Sequence, residues 1–205
     1  MNKTYNNKPS LKGFTIIELL VVIAIIMFLA GITIPIISSI QTNAKKGVTS
    51  AQISQLELAL KQFESDFGVF PPDIYTANPI SIGGVSIPVN SNLTTGDKCL
   101  VFFLGSVFTF NPGLPNEETY GPYIEFKRAQ ITGTGQDFTD NPGSITITGV
   151  NGTSEVFQYK DPFGEDYFYD SSSPANNTAS FDLYSYGSDK NNDFGASTSD
   201  DITNW

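Results

Sequence analysis

The sequence predicts an α+β chain in which a long N-terminal helix, first apolar and then amphipathic, packs on a small antiparallel sheet. Three observations predict it. Leu19 to Ile32 contains no charged or strongly polar residue, and apolar character continues to Ile37 past Thr33 and Pro35. Ile53, Leu56, Leu60, Phe63 and Phe67 then recur at alternating steps of three and four, the spacing of one helical face. Downstream, short apolar and aromatic segments alternate with Gly, Pro, Asn and Asp turn signals, as strands joined by turns do.

The first element sets the expected topology. From Phe14 to Ile37 a helix would run about 36 Å, enough to cross roughly 30 Å of hydrocarbon. Lys3, Lys8 and Lys12 precede it and no acid does. That asymmetry predicts a cytoplasmic N-terminus and a body outside. An ordinary signal peptide would carry a shorter apolar stretch ending at a small-x-small site. Here the small residue, Gly13, stands before the run, so a cut after it would remove the basic head and keep the anchor. Glu18 lies just inside the run. An ionised carboxylate in hydrocarbon costs several kcal/mol unless it finds a partner, which makes Glu18 a functional-site candidate. Pro35 lacks an N–H and predicts a kink.

The second half of the helix carries the favourable Glu57–Lys61 pair and ends at Gly68, Pro71 and Pro72. Residues 73–98 read as loop with short extended pieces. Cys99 to Leu104 is helix or strand, undecided by periodicity, and Gly121 to Phe126 reads as an aromatic surface against the core. Ile145–Val150 and Val156–Tyr159 suggest two strands around an Asn151-Gly152 turn. Asp161-Pro-Phe-Gly is a turn, and Tyr167-Phe-Tyr and Asp182 to Tyr186 are the next strands.

Eleven basic residues stand against 21 acidic ones, a net charge of −10, which argues against a body that binds nucleic acid by phosphate neutralisation. Histidine is absent and cysteine occurs once, so imidazole chemistry and an internal disulfide are excluded. No nucleophile–base pair, phosphate loop or catalytic metal constellation is recognisable, and the paired acids Glu117/Glu118 and Glu165/Asp166 read as solvated surface. An enzyme is not expected.

Asp189, Asn191, Asp193, Asp200 and Asp201 crowd the C-terminus. Oxygen donors without His or Cys suit a hard cation such as Ca²⁺. Phe194 and Asp200 stand where an EF-hand needs Gly and Glu, so that motif is not met. Composition alone leaves a solvated acidic turn equally open.

Several segments together resemble the type IV pilin and type II secretion pseudopilin superfamily. They are Lys12-Gly13-Phe14-Thr15-Ile16-Ile17-Glu18, Phe67-Gly-Val-Phe-Pro-Pro, Asp161-Pro-Phe-Gly-Glu-Asp-Tyr-Phe-Tyr, Phe181-Asp-Leu-Tyr-Ser-Tyr-Gly-Ser-Asp189 and Asp200-Asp201-Ile-Thr-Asn-Trp205. Within it the chain is most similar to the major pseudopilin of type II secretion, the general secretion pathway protein G type. The resemblance implies a pilin-like fold. Residues 1–13 would be a class III leader, cut between Gly13 and Phe14 by a prepilin peptidase, with Phe14 methylated. Residues 14–41 would be the transmembrane and filament-core helix, kinked at Pro35. Residues 42–205 would form a periplasmic or extracellular head, with an amphipathic helix 42–67, a variable middle 73–158 and a calcium-loop C-terminus 181–205.

The implied function is a structural subunit that polymerises into a pseudopilus driving protein secretion. Glu18 would pair with the Phe14 ammonium of a neighbour and set register. A structural Ca²⁺ would be held by Asp189, Asp200 and Asp201 with the backbone carbonyls of Tyr186 and Ser188, and Asn191 and Asp193 are further candidates. The implied partners are further copies in a helical filament, minor pseudopilins, an inner-membrane assembly platform and the prepilin peptidase. The implied location is the bacterial inner membrane, single-pass, with the head outside and the assembled pseudopilus in the periplasm or on the cell surface. A type IV pilin for adhesion, motility or DNA uptake, and a non-polymerising membrane-tethered binding module, are the alternatives.

Overall fold

A computed structural model describes residues 13–82, 85–133, 145–148, 156–194, 196 and 199–205. The chain divides into two compact units, Met1–Asn43 and Ala44–Trp205. Helix α1, Ile16–Phe67, contributes its first part to one unit and its last part to the other.

Among the described residues, no helix is long and apolar enough to cross a membrane. This overturns the expected transmembrane helix 14–41 and, with it, the single-pass inner-membrane location. The described part of α1 carries Glu18 in its first turn, and an ionised carboxylate there is costly in hydrocarbon. The expected kink at Pro35 falls among residues 32–38, whose side chains lie outside the described set.

The expected single small antiparallel sheet is also replaced. Ten short strands form four separate antiparallel sheets among the described residues. β1 (Ser81–Ile82) pairs with β2 (Val85–Ser86). β3 (Val107–Phe110) lies between β4 (Glu118–Tyr120) and β6 (Ile145–Thr148). β5 (Ile131–Thr132), reached through one turn of 3-10 helix at Arg128–Gln130, pairs with β7 (Gln158–Tyr159). β9 (Asp182–Ser185) lies between β8 (Phe168–Asp170) and β10 (Ile202–Thr203). The strands expected on either side of Asn151-Gly152 therefore belong to different sheets, and the turn itself lies outside the described residues. An Asn-Gly pair signals a local reversal, but β3 and β5 supply the partners from further along the chain.

In the second unit α1 buries Ile53, Leu56, Leu60 and Phe63. The helix ends where Gly68 takes a φ of 73° and its N–H bonds the Glu64 carbonyl at 2.7 Å, a glycine C-terminal cap. The undecided segment around Cys99 is helix α2, Gly96–Gly105. Six consecutive residues, Cys99 to Leu104, are buried in it, which is why neither a two-residue nor a 3.6-residue period shows. Phe103 anchors an aromatic cluster, its ring centroid 4.9 Å from Tyr75, 5.0 Å from Phe102 and 5.5 Å from Phe63. Tyr167 donates to Gln52 Oε1 at 2.6 Å and Tyr169 to the Pro71 carbonyl at 2.6 Å, so the residues around β8 are pinned to the last turns of α1 and its exit.

Candidate functional site

The first candidate site is the start of α1. Gly13 and Phe14 precede the helix, and Phe14 is 82 % exposed. Thr15 and Glu18 form a capping box. Glu18 Oε2 accepts from the Thr15 N–H at 2.8 Å and from Thr15 Oγ1 at 2.7 Å, while Glu18 N–H donates to Thr15 Oγ1 at 3.3 Å. Each side chain satisfies the other's orphaned backbone donor, and the carboxylate sits against the positive end of the helix. Glu18 is thus held by its own chain, a role the sequence reading did not assign. The Thr-x-x-Glu spacing was the signal for it.

From Phe14 onward the apolar side chains face outward. Ile16 is 88 % exposed, and Leu19, Leu20, Ile25, Ile26, Met27, Phe28 and Leu29 are all exposed. A contiguous apolar face of this kind marks an interaction surface.

The second candidate site is the C-terminal loop between β9 and β10. Gly187 turns the chain at a φ of 71°, and a Cβ there would collide with the Asp200 carbonyl. Only glycine lets the two ends of the loop approach so closely. Asp200 Oδ2 accepts from Ser188 N–H at 2.6 Å, from Ser188 Oγ and from Asp189 N–H at 3.2 Å. Burial raises the Asp200 pKa, but the hydrogen bonds from Ser188 and Asp189 outweigh it and hold the carboxyl below its ordinary value. Asp189 Oδ1 accepts from Asn191 N–H at 2.8 Å, an Asx turn. Asp193 is exposed and its carbonyl accepts from Ala196 N–H at 3.1 Å. Lys190 pairs with Glu165 at 2.9 Å and lowers that glutamate's pKa.

The structure therefore gathers Ser188, Asp189 and Asp200, with Asn191 bonded to Asp189. It does not bring the acids into one shell: among the described residues, no group of three or more His, Cys, Asp or Glu side chains is placed to hold a metal. One feature fits a hard cation. Asp200 Oδ1 is buried and has no hydrogen-bond partner. A buried carboxylate oxygen left so is costly, and a cation would satisfy it.

Several residues that hold the site in place are not legible from sequence. Asn192 Oδ1 accepts from the Tyr184 hydroxyl at 3.0 Å and from Phe194 N–H at 2.9 Å, so it, and not Asn191, ties the loop to β9. The C-terminal tail is held as strand β10. Asn204 Oδ1 accepts from Leu183 N–H at 2.9 Å, its Nδ2 donates to the Phe181 carbonyl at 3.1 Å, and Trp205 packs edge-on against Tyr184. Asp161 and Asp182 are buried clamps. Asp161 Oδ1 accepts from Phe163 and Glu165 N–H, each at 2.9 Å, and Asp182 receives the N–H groups of Ala175, Asn176 and Asn177. Their Asx-turn setting was the available signal. Cys99 is buried and free, and burial pushes its thiol well above the ordinary range, which makes it inert.

Two family models match parts of the chain. Residues 152–205 match type II secretion system (T2SS), protein G, and residues 10–34 match the prokaryotic N-terminal methylation motif. No curated protein and no solved structure matches. The first match covers β7 to β10 with the loop just described, and the second covers the Thr15–Glu18 cap. At its C-terminal region the chain is therefore similar to a pseudopilin family of the type II secretion system, structural and not catalytic, and at its N-terminus it carries the methylation motif typical of pseudopilins.

Proposed function

We propose that the chain is a structural subunit that polymerises into a pseudopilus serving type II protein secretion. The observation that carries this reading is the exposed apolar surface of α1 from Ile16 to Leu29, beginning at a capped helix end. Such a face requires cover, and equivalent helices of neighbouring copies supply it at every position. The partners are accordingly other copies, minor pseudopilins and an assembly platform. A prepilin peptidase cuts between Gly13 and Phe14. The new Phe14 ammonium is free to pair with Glu18 of a neighbour, and a misplaced copy would leave a charge alone. The test is twofold. N-terminal analysis of the extracted protein should find Phe14, methylated. Sheared filament fractions should hold the wild type and lack Glu18→Ala. A chain that retains Met1, or a variant that assembles at the wild-type yield, would overturn the proposal.

The same reading assigns Ca²⁺ to the C-terminal loop, with Asp189, Asp200 and Asp201 as carboxylate donors and the carbonyls of Tyr186 and Ser188 beside them; binding would have to draw the acids into one shell, which they do not form without the ion. The orphaned Asp200 Oδ1 supports it. Bound Ca²⁺ neutralises the crowded acids and stabilises the folded state by about 2.7 kcal/mol at 100 times Kd. The full chain should melt higher with Ca²⁺ than with chelator, and Asp200→Asn should abolish the difference. Equal melting in both, with no calcium by elemental analysis, would remove the ion from the assignment.

A further inference from the structure

A second acidic site borders that loop, sharing Tyr186 with it, where the N-terminus of α2 meets β8. A cavity of about 390 Å³ is lined there by Asp73, Asp97, Glu165, Asp166 and Asp170. Lys160 pairs with Asp166 at 2.8 Å and Lys190 with Glu165 at 2.9 Å. Among the described residues no cation pairs with Asp73, Asp97 or Asp170. Asp73 and Asp170 take hydrogen bonds from Ser172, at 2.9 Å and 3.0 Å. Asp97 differs from all of these. It is only 5 % exposed, it lines the cavity, and its Oδ2 has no hydrogen-bond partner. Burial pushes its pKa up, hydrogen bonds from Thr95 and Gln158 pull it down, and the neighbouring Asp166 charge raises it further.

Gly96 explains why the carboxylate is fixed so deep. A Cβ at that position would collide with the Tyr169 carbonyl, so α2 begins in direct contact with β8. Asp97, the next residue, is buried and lines the cavity.

The occupant follows from chemistry and size. A buried, unpaired carboxylate oxygen among further acids calls for a positive charge. The acids are not gathered closely enough to share one metal ion. Phe168 and Tyr186 also line the cavity, and its volume far exceeds that of a bare ion. A planar cation with several spread N–H donors and an affinity for aromatic faces meets all three conditions. We propose that this cavity is a binding site for a guanidinium group, the side chain of an arginine, with Asp97 as its buried counter-ion. The site stands independently of the filament reading.

The test is titration calorimetry of the full chain in nonionic detergent with N-acetyl-arginine methylamide as probe. Saturable one-to-one binding is expected. Asp97→Asn keeps the shape and removes the charge, and it should weaken Kd by at least about tenfold. The lysine analogue should bind about tenfold more weakly than the arginine probe, because an ammonium is a point donor. Saturating Ca²⁺ should leave arginine binding in place. Should Asp97→Asn fail to fold by circular dichroism, Asp73→Asn replaces it, and a clear loss of affinity is again expected. Absence of saturable binding, equal affinity for the lysine analogue, displacement by Ca²⁺, or unchanged affinity in the folded aspartate variant would each overturn the proposal.

Discussion

The two ends of α1 treat apolar side chains in opposite ways. Ile16 is 88 % and Met27 70 % exposed, whereas Ile53 is 3 % and Leu56, Leu60 and Phe63 are 0 % exposed. Both ends are helical. The difference shows that helix formation and apolar burial are separable within one element. At the start, a capping box and continuous backbone bonding suffice to set the helix. Further along, tertiary packing selects one face and the sequence alternates accordingly. A helix apolar all round carries no periodic instruction about what should cover it. Its first part is therefore left exposed, while its last part packs into the chain's own core.

The largest test of this contrast is truncation on each side of it. Phe103→Ala, at the centre of the head's aromatic cluster, should cost about 3–5 kcal/mol in denaturant unfolding of the full chain. Leu20→Ala, 58 % exposed, should fall within about 0.5 kcal/mol of wild type. If the two variants destabilised the chain equally, the exposed segment would have a hidden packing partner and the contrast would fail.

A smaller effect tests whether the head depends on polar clamps as well as rings. Asp182 is 3 % exposed and receives three backbone N–H groups from residues 175–177. Asp182→Ala leaves those donors without their acceptor and should cost about 3 kcal/mol. Asp182→Asn keeps an acceptor oxygen and should recover part of it, read in the same unfolding experiment. No comparable buried clamp is found from Phe14 to Gly31, so substitutions there should show only helix-end effects.

What was legible in the sequence follows the same physical division. The stripe from Ile53 to Phe63 could be read because burial on one face leaves a period. α2 could not be typed because it is buried on nearly every side. The strands near β6 and β7 were visible, but their partners were not, since pairing is set by distant residues and not by the intervening Asn-Gly turn. β10 is two residues long, below the reach of any periodicity, yet it fixes the tail. The membrane span was expected from a count of apolar residues in which Glu18 stood as a site and not as a cost to the span. The loop acids were legible as a group, but their division into backbone clamps and an orphaned oxygen at Asp200 depends on folded geometry. The capping box is legible as Thr15-Ile-Ile-Glu18, whereas the expectation for Glu18 rested on its charge and on its place near the first helical turn.

The smallest expected effect, and the sharpest, concerns Glu18. Glu18 caps its own helix, and in the proposed filament it would also offer a negative charge to a neighbour. Thr15→Ala removes the cap's hydroxyl and should cost about 1 kcal/mol at the helix start, seen as faster hydrogen exchange from Ile16 to Leu20 with global unfolding unchanged. Glu18→Gln keeps an acceptor that serves a capping box, so exchange there should stay close to wild type. It removes the charge, however. If register is set by charge pairing, Glu18→Gln should assemble as poorly as Glu18→Ala, while Thr15→Ala assembles well. If the cap alone matters, Glu18→Gln should assemble normally and Thr15→Ala should fail. The two patterns are opposite, so one set of sheared filament fractions from the three variants separates a helix-end role from an intersubunit one.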